Sequence, residues 1–234
     1  MQKKSSLNHY ISFIIPVLNE EKTIVSFLKG MQYYRQNGHE IILVDGGSDD
    51  NTVTLAQHYV DQSLVSKPGR AYQMNLGAKR AKNTVFVFLH SDTKLPEAAD
   101  ISILKSLSSQ NNWGRFNVNL RDQNFIFRII ETMMNLRSKY TLIATGDQGI
   151  FITKEAFFSV NGFPEIPLME DIAISKKLRQ RYSCACLSDK VSTSSRRWQE
   201  HGIIKTILLM WMLRFLYFIG ISPNKLVELY YGKK

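Results

Sequence analysis

Three short, almost unbroken apolar runs constrain this chain more than anything else in it: ISFIIPVL (residues 11–18), EIILVD (40–45) and TVFVFLHSD (84–92). They are rich in β-branched and aromatic residues. Such runs suit strands covered on both faces, the habit of parallel sheets. Helical patterns separate them. In NEEKTIVSFLKGMQYYRQ, Ile24, Phe27, Leu28 and Met31 share one face. Asn19 is expected to cap that helix, with Glu20 and Glu21 in its positive first turn. Asp50 or Asn51 is expected to cap TVTLAQHY, RAYQMNLGAKRAK reads as a helix, and Pro96 opens another near ADISILKSL. Strand and helix in alternation imply right-handed βαβ units, so the first half is an α/β sheet.

The second half is less regular. RFNVNL (115–120) alternates like an antiparallel strand, NFIFRIIETMMNLRSK is amphipathic, GDQGIFIT is a glycine turn leading into a strand, and MEDIAISKKLRQRY is a helix that starts with two acids. No linker or low-complexity segment divides the chain, and 234 residues suit one sizeable core. With 44% hydrophobic and 21% charged residues, extensive disorder is excluded. Two cysteines exclude a disulfide scaffold and a four-cysteine zinc site. Cys184 and Cys186 would point the same way on a strand and are expected as reduced, half-buried thiols. Thirty Lys and Arg against 20 Asp and Glu give a net charge of +10. Such a balance calls for an acidic neighbour: nucleic acid, an anionic membrane or a phosphorylated small molecule.

Ligands of open parallel sheets bind beyond the carboxyl ends of the strands. Here those ends read PVLNEE, VDGGSDDNT and LHSDT, each with at least one acid. One acid after a strand is ordinarily a cap or a solvated turn. Acids converging at three successive ends repel one another unless a cation or a hydroxyl-rich ligand lies among them. That pattern suits a nucleotide bound with Mg²⁺ or Mn²⁺, which takes carboxylate and phosphate oxygens.

FIIPVLNEE followed by EIILVDGGSDDNT resembles the family 2 glycosyltransferases, and the resemblance runs from about residue 10 to residue 198. It implies the GT-A fold, a mixed and mainly parallel sheet flanked by helices. Carried over residue by residue, Pro16, Asn19 and Glu20 line the nucleotide pocket and Asp45 contacts the base or ribose. Gly69 and Arg70 sit at a helix N-terminus beside the diphosphate, with Gln73 and Asn75 one turn further in. LHSDT stands where the family has D-x-D: Asp92 would coordinate the metal, His90 would be a second ligand or a phosphate donor, and Ser91 lies between them on the donor. Glu170-Asp171 matches the acidic pair facing the acceptor, with Asp171 as general base and Glu170 orienting it or touching the acceptor. Asp147 would help shape the sugar or acceptor pocket. In SSRRWQEHG, Arg196 and Arg197 would pair with the diphosphate or the acidic pair, Trp198 would stack on a sugar, and His201 is a candidate third metal ligand. The set GRAxQMNxGA, HSDT, GDQGIF, PLMED and SxRRW looks closest to a small bacterial subfamily from arsenosugar- and selenium-related gene neighbourhoods, a label that carries no substrate.

The resemblance implies an inverting, metal-assisted transfer of sugar from a UDP-, GDP- or dTDP-linked donor to an acceptor hydroxyl, with no role for nucleic acid. The acceptor stays open, a lipid-linked one included. Rival readings are a nucleotidyltransferase of related fold and a non-catalytic basic protein that binds membrane or nucleic acid. The first is disfavoured because PVLNEEKT lacks the glycine-rich loop such enzymes use, the second because the acids gather at strand ends. MQKKSSLNHY lacks the apolar core of a signal peptide. Residues 203–234 follow the domain of residues 1–202 and begin with IIKTILLMWMLRFLYFIGI, a run interrupted by Arg214 at its centre. The expectation is an apolar C-terminal helix lying on the inner face of the membrane of a cytoplasmic enzyme, the alternatives being a helix buried over the sheet or in a homodimer.

Overall fold

The apolar runs form strands as their patterning requires. A computed structural model of the chain describes residues 10–107, 111–122, 124–194 and 202–231. The strands are β1 (Ile11–Val17), β2 (Glu40–Asp45), β3 (Gln62–Val65), β4 (Val85–Phe88), β5 (Asn111–Leu120), β6 (Ile150–Thr153) and β7 (Ser183–Thr193). They make one sheet in the order β3-β2-β1-β4-β6-β5-β7. The first four run parallel, β6 runs antiparallel to both β4 and β5, and β7 is parallel to β5. The carboxyl ends of all the other strands therefore meet the amino end of β6 at one edge.

Every residue of β1, β2 and β4 is buried. Their side chains alternate between two cores. Phe13, Ile15, Ile41 and Val87 face the core covered by α1 (Ile24–Gln36) and α4 (Ala99–Ser106). Ile14, Ile42, Val44 and Phe86 face the core covered by α3 (Arg70–Arg80), α6 (Lys154–Ser159) and α7 (Glu170–Arg179). Cys184 and Cys186 are free and half-buried, with sulfurs 4.0 Å apart.

Two helices begin or end away from their expected places, for tertiary reasons. Asn19 does not cap α1. It lies in the left-handed region, at φ 54°, in a loop joined to the one after β2. The Asn19 N–H donates to Ser48 Oγ (2.9 Å), the Asp49 N–H to Asn19 Oδ1 (3.0 Å), the Glu20 N–H to Thr52 Oγ1 (2.7 Å) and the Glu21 N–H to Asp50 Oδ2 (3.1 Å). Each loop satisfies the other's backbone, so the helix starts only at Ile24. The helix after β2, α2 (Thr52–Ala56), is five residues long and passes into a 3₁₀ turn, Gln57–Tyr59. Asp50 supplies its cap, accepting from the Thr52 N–H at 2.9 Å.

α5 (Phe125–Thr141) is capped by Asn124, whose side chain accepts from the Ile126 N–H. The C-terminal run folds as α8 (Ile203–Phe218), followed by α9 (Pro223–Tyr231). Leu213 and Leu226 are fully buried with Ile143, Met169 and Ile172, while Ile203 and Ile207 pack on α5 beside Phe127 and Ile130. Among the described residues no helix is long and apolar enough to cross a membrane.

The join between β5 and β7 has no room for a side chain at Gly114, where an added Cβ would overlap the Phe151 ring and the Ala185 carbonyl oxygen. Gly114→Ala is therefore expected to lower stability by about 1–3 kcal/mol, the usual cost of overpacking. Urea denaturation measures it, and an unchanged midpoint would refute this packing.

Candidate active site

Much of what stands at the strand ends is structural. The buried Asp45 carboxylate accepts the N–H groups of Gly47 and Ser48, both at 2.9 Å, and the Ser48 hydroxyl. Of about four lone-pair sites on a carboxylate, three are thus taken by its own turn, leaving one for a base or ribose. Pro16 is buried within β1. Gln73 is also buried, and its Nε2 donates to the carbonyls of Val17 and Val44, both at 2.8 Å. It adds a side-chain clamp at the ends of β1 and β2, where the Val17 carbonyl also accepts the Gly46 N–H at 2.9 Å. Asn75 holds Phe163 in both directions, at 2.8 and 3.0 Å. Gln73 and Asn75, expected on the donor, bond here to the scaffold.

The free groups face a cavity of about 370 Å³ at the edge where the strand ends meet. Arg70, His90, Asp92, Asp147 and Asp171 all line it. Arg70 is the exposed first residue of α3, and Gly69 before it takes φ 127°, which the tight entry into the helix requires. Ser91 is buried. Asp92 is exposed beyond β4, with one oxygen accepting the Thr93 hydroxyl at 3.2 Å. Desolvation in the cleft lifts its pKa, and repulsion from Asp147 and Glu20 adds to the effect. His90 packs against Gly146, where a Cβ would lie 2.6 Å from its Nε2. Desolvation, helped by Arg70, drives the His90 pKa down to about 3, so the ring is neutral.

Asp171 opens α7 with both carboxylate oxygens held. The Gly146 N–H donates to Oδ2 at 2.9 Å and the Ile172 N–H to Oδ1 at 2.7 Å. Burial raises its pKa despite these bonds. Glu170 is buried beside it and pushed up to about 7, first by burial and then by Asp171. Asp147 sits in the turn before β6 and accepts the Thr145 hydroxyl at 2.5 Å. Glu20 accepts the Thr23 hydroxyl at 2.7 Å and stays within electrostatic reach of Asp92. Arg196, Arg197, Trp198 and His201 lie outside the described residues. Among the described residues no three His, Cys, Asp or Glu side chains form a metal cluster.

The opposite wall was not legible as part of a site. Arg137 of α5 and Arg214 of α8 line the same cavity, with Met133, Met210 and Trp211. The one signal was Arg214 itself: a charge in an apolar run must face a cavity, water or a partner.

The family model for Glycosyl transferase family 2 matches residues 12–161. Poly-beta-1,6-N-acetyl-D-glucosamine synthase of Staphylococcus aureus is 25% identical over 203 residues, 77% of this chain and 49% of the relative. The chain thus spans about half the length of the curated relatives it matches. The fold is similar to that of S. aureus TarS with UDP-GlcNAc (TM-score 0.64, 18% identity, 79% of this chain and 58% of that one). It is similar also to mannosyltransferase PcManGT of Pyrobaculum calidifontis with GDP-Man and Mn²⁺ (TM-score 0.64, 20% identity, 80% and 57%). A third likeness is to Mycobacterium tuberculosis glucosyl-3-phosphoglycerate synthase with Mn²⁺ and UDP-glucose (TM-score 0.59, 19% identity, 78% and 70%).

The raised Glu170 has a consequence for stability. A buried acid with a raised pKa favours the folded state when protonated, below the unfolded value of 4.5, and loses that advantage as pH rises through about 7. Glu170→Gln is therefore expected to match wild type near pH 4 and to exceed it by up to about 3 kcal/mol at pH 8. Urea denaturation across that range gives the difference, and a constant gap would remove Glu170 from the buried acids.

Proposed function

Because the chain belongs to glycosyl transferase family 2, we propose that it is an inverting glycosyltransferase, with Asp171 the base that acts on the acceptor. One observation carries this reading: Asp171 faces the cavity with Asp92 and Arg70, and two backbone N–H groups fix its carboxylate. The acceptor oxygen bonds to the anomeric carbon as the bond to the donor diphosphate breaks. The proton passes to Asp171, and the electron pair leaves with the diphosphate. The raised pKa of Asp171 brings it nearer to working pH, which suits a general base. Arg70 faces the diphosphate and offsets its growing charge. His90, neutral and packed under Gly146, holds in place the N–H that Gly146 gives to Asp171.

The donor is a nucleotide-diphosphate sugar carrying UDP, GDP or dTDP. The UDP- and GDP-sugars bound by the structural neighbours favour this class. The residues suit a divalent cation. Asp92 is exposed, offers hard oxygen donors and is crowded by the charges of Asp147 and Glu20. Mg²⁺ or Mn²⁺ needs one or two carboxylates here, with phosphate oxygens completing its shell. When bound, it would neutralise charge on the leaving diphosphate. The motif set is also consistent with the small subfamily named above.

α5 and α8 present large apolar residues to solvent: Phe125 is 75% exposed, Ile204 69%, Phe215 62% and Phe218 77%. With the net charge of +10, this supports a cytoplasmic enzyme held peripherally at the inner face of the membrane, a homodimer through the same helices being the alternative.

Asp171→Asn should keep donor affinity, read by thermal shift with UDP-, GDP- and dTDP-sugars and Mn²⁺, while transfer falls about 10²- to 10⁴-fold. Near wild-type transfer would move the base to Glu170. Full-length protein should co-sediment with anionic vesicles at low salt and be released as salt rises. Protein left in the supernatant at low salt would end the membrane reading.

A further inference from the structure

The cavity has two basic sides with different neighbours. Arg70 is within electrostatic reach of His90, Asp92 and Glu170, on the strand-end side. Arg137 faces Arg214, Asp147 and Asp171 on the helical side. This second pair is unfinished. Nε and Nη2 of Arg137 and Nε of Arg214 are buried without any hydrogen-bond acceptor. Arg137 gives only Nη1 to a protein group, the Ile143 carbonyl at 3.3 Å. Among the described residues neither guanidinium is within ion-pair distance of a carboxylate. Burial and then the neighbouring Arg214 lower the Arg137 pKa to about 10, against the opposite pull of Asp147 and Asp171.

Two adjacent cations with three orphan nitrogens, bearing four N–H groups between them, in a cavity beside a base, call for an anion with several acceptor oxygens. Asp147 and Asp171 are within electrostatic reach of the pair but accept from neither guanidinium, and a single hydroxyl offers too few acceptor lone pairs for these donors. A phosphate group carries close to two charges on three oxygens. The walls around the pair are apolar: Ile130, Met133, Met134, Ile207, Met210 and Trp211, with Met133 and Trp211 about half exposed at 48% and 55%. We propose that Arg137 and Arg214 anchor a phosphate of the acceptor, and that this acceptor is an amphiphile whose apolar chain lies between α5 and α8. The proposal rests on the glycosyltransferase reading, with the acceptor hydroxyl reaching Asp171 from the anchored phosphate.

The test is calorimetric titration of the full-length protein with n-dodecyl phosphate below its micelle concentration. Inorganic phosphate and uncharged n-dodecyl maltoside are parallel titrants, and a nucleotide-sugar titration with Mn²⁺ is run on every variant. Dodecyl phosphate should bind at least about tenfold more tightly than either control. Arg137→Gln and Arg214→Gln should each remove about tenfold or more of that affinity while keeping donor affinity. Arg214→Lys, which keeps the charge but loses the planar fork, should fall between, and it serves where the Gln variant does not fold. Equal binding of the maltoside overturns the phosphate, and equal binding of inorganic phosphate overturns the apolar chain. Affinity untouched in folded Arg variants overturns the anchor. Loss of donor binding in those variants hands the pair to the donor. A wild type that binds dodecyl phosphate but no nucleotide sugar defeats the glycosyltransferase reading and leaves the anion site standing.

Discussion

Burial on both faces of β1, β2 and β4 leaves these strands no place for charge except at their ends. That constraint gathers the polar residues of several distant segments at one edge of the sheet. The antiparallel β6 then brings the Thr145–Asp147 turn to the same edge from the opposite direction. Burial first, and then repulsion among Glu20, Asp92, Asp147, Glu170 and Asp171, raises the pKa of Asp92, Glu170 and Asp171. A folded chain sustains such crowding only where cations or ligand groups share the space. Arg70, Arg137 and Arg214 around the same cavity are the protein's own part of that compensation.

Hydrogen bonds divide the polar residues at this edge into two kinds. Asp45, Gln73 and Asn75 spend their polar atoms on the chain itself, holding a turn, two strand ends and the loop at Phe163. Asp92 and Asp171 keep lone pairs toward the cavity. The first kind makes the second precise. Gln73 ties the ends of β1 and β2 together, next to the linked loops of residues 19–21 and 48–52. A motif residue can therefore shape the edge through its bonds to the chain itself.

The sequence made the strands readable because double-sided burial writes itself as unbroken apolar runs, and α3, α5 and α7 because their polar and apolar faces alternate at helical spacing. The start of α1 was not readable: Asn19 and two acids form a sound local cap signal, overridden by bonds to residues 30 positions away. The cavity residues Arg70, Asp92, Asp147 and Asp171 were found through motifs. Gln73 and Asn75 came from the same motif, and their bonds to the scaffold were not readable, since a motif gives residue type and spacing but not the direction of a side chain. Arg137 and Arg214 were missed because helical periodicity shows which residues share a face and never what lies opposite. Only the packing of α8 across α5 makes a wall of that face.

The lining of the cavity also separates two tasks along the edge. Among the described residues it includes Arg70, His90 and Asp92 but nothing from the loops of residues 18–23 or 46–52. Those loops form the more open part of the edge, where Asn19 and Asp49 are exposed or nearly so. Under the proposed function, a base and ribose would suit this open side, where Asp45 keeps one acceptor site. The enclosed side, of a size at the lower end for small-molecule pockets, would then take the sugar and the acceptor. Enclosure matters there and not at the base: excluding water strengthens the charge interactions at the reacting carbon and denies the sugar to water as a competing acceptor. The helices that close this side, α5, α8 and α9, carry its apolar wall and its second pair of cations. Under the proposed function, acceptor choice would therefore rest with the part of the chain that the motifs describe least.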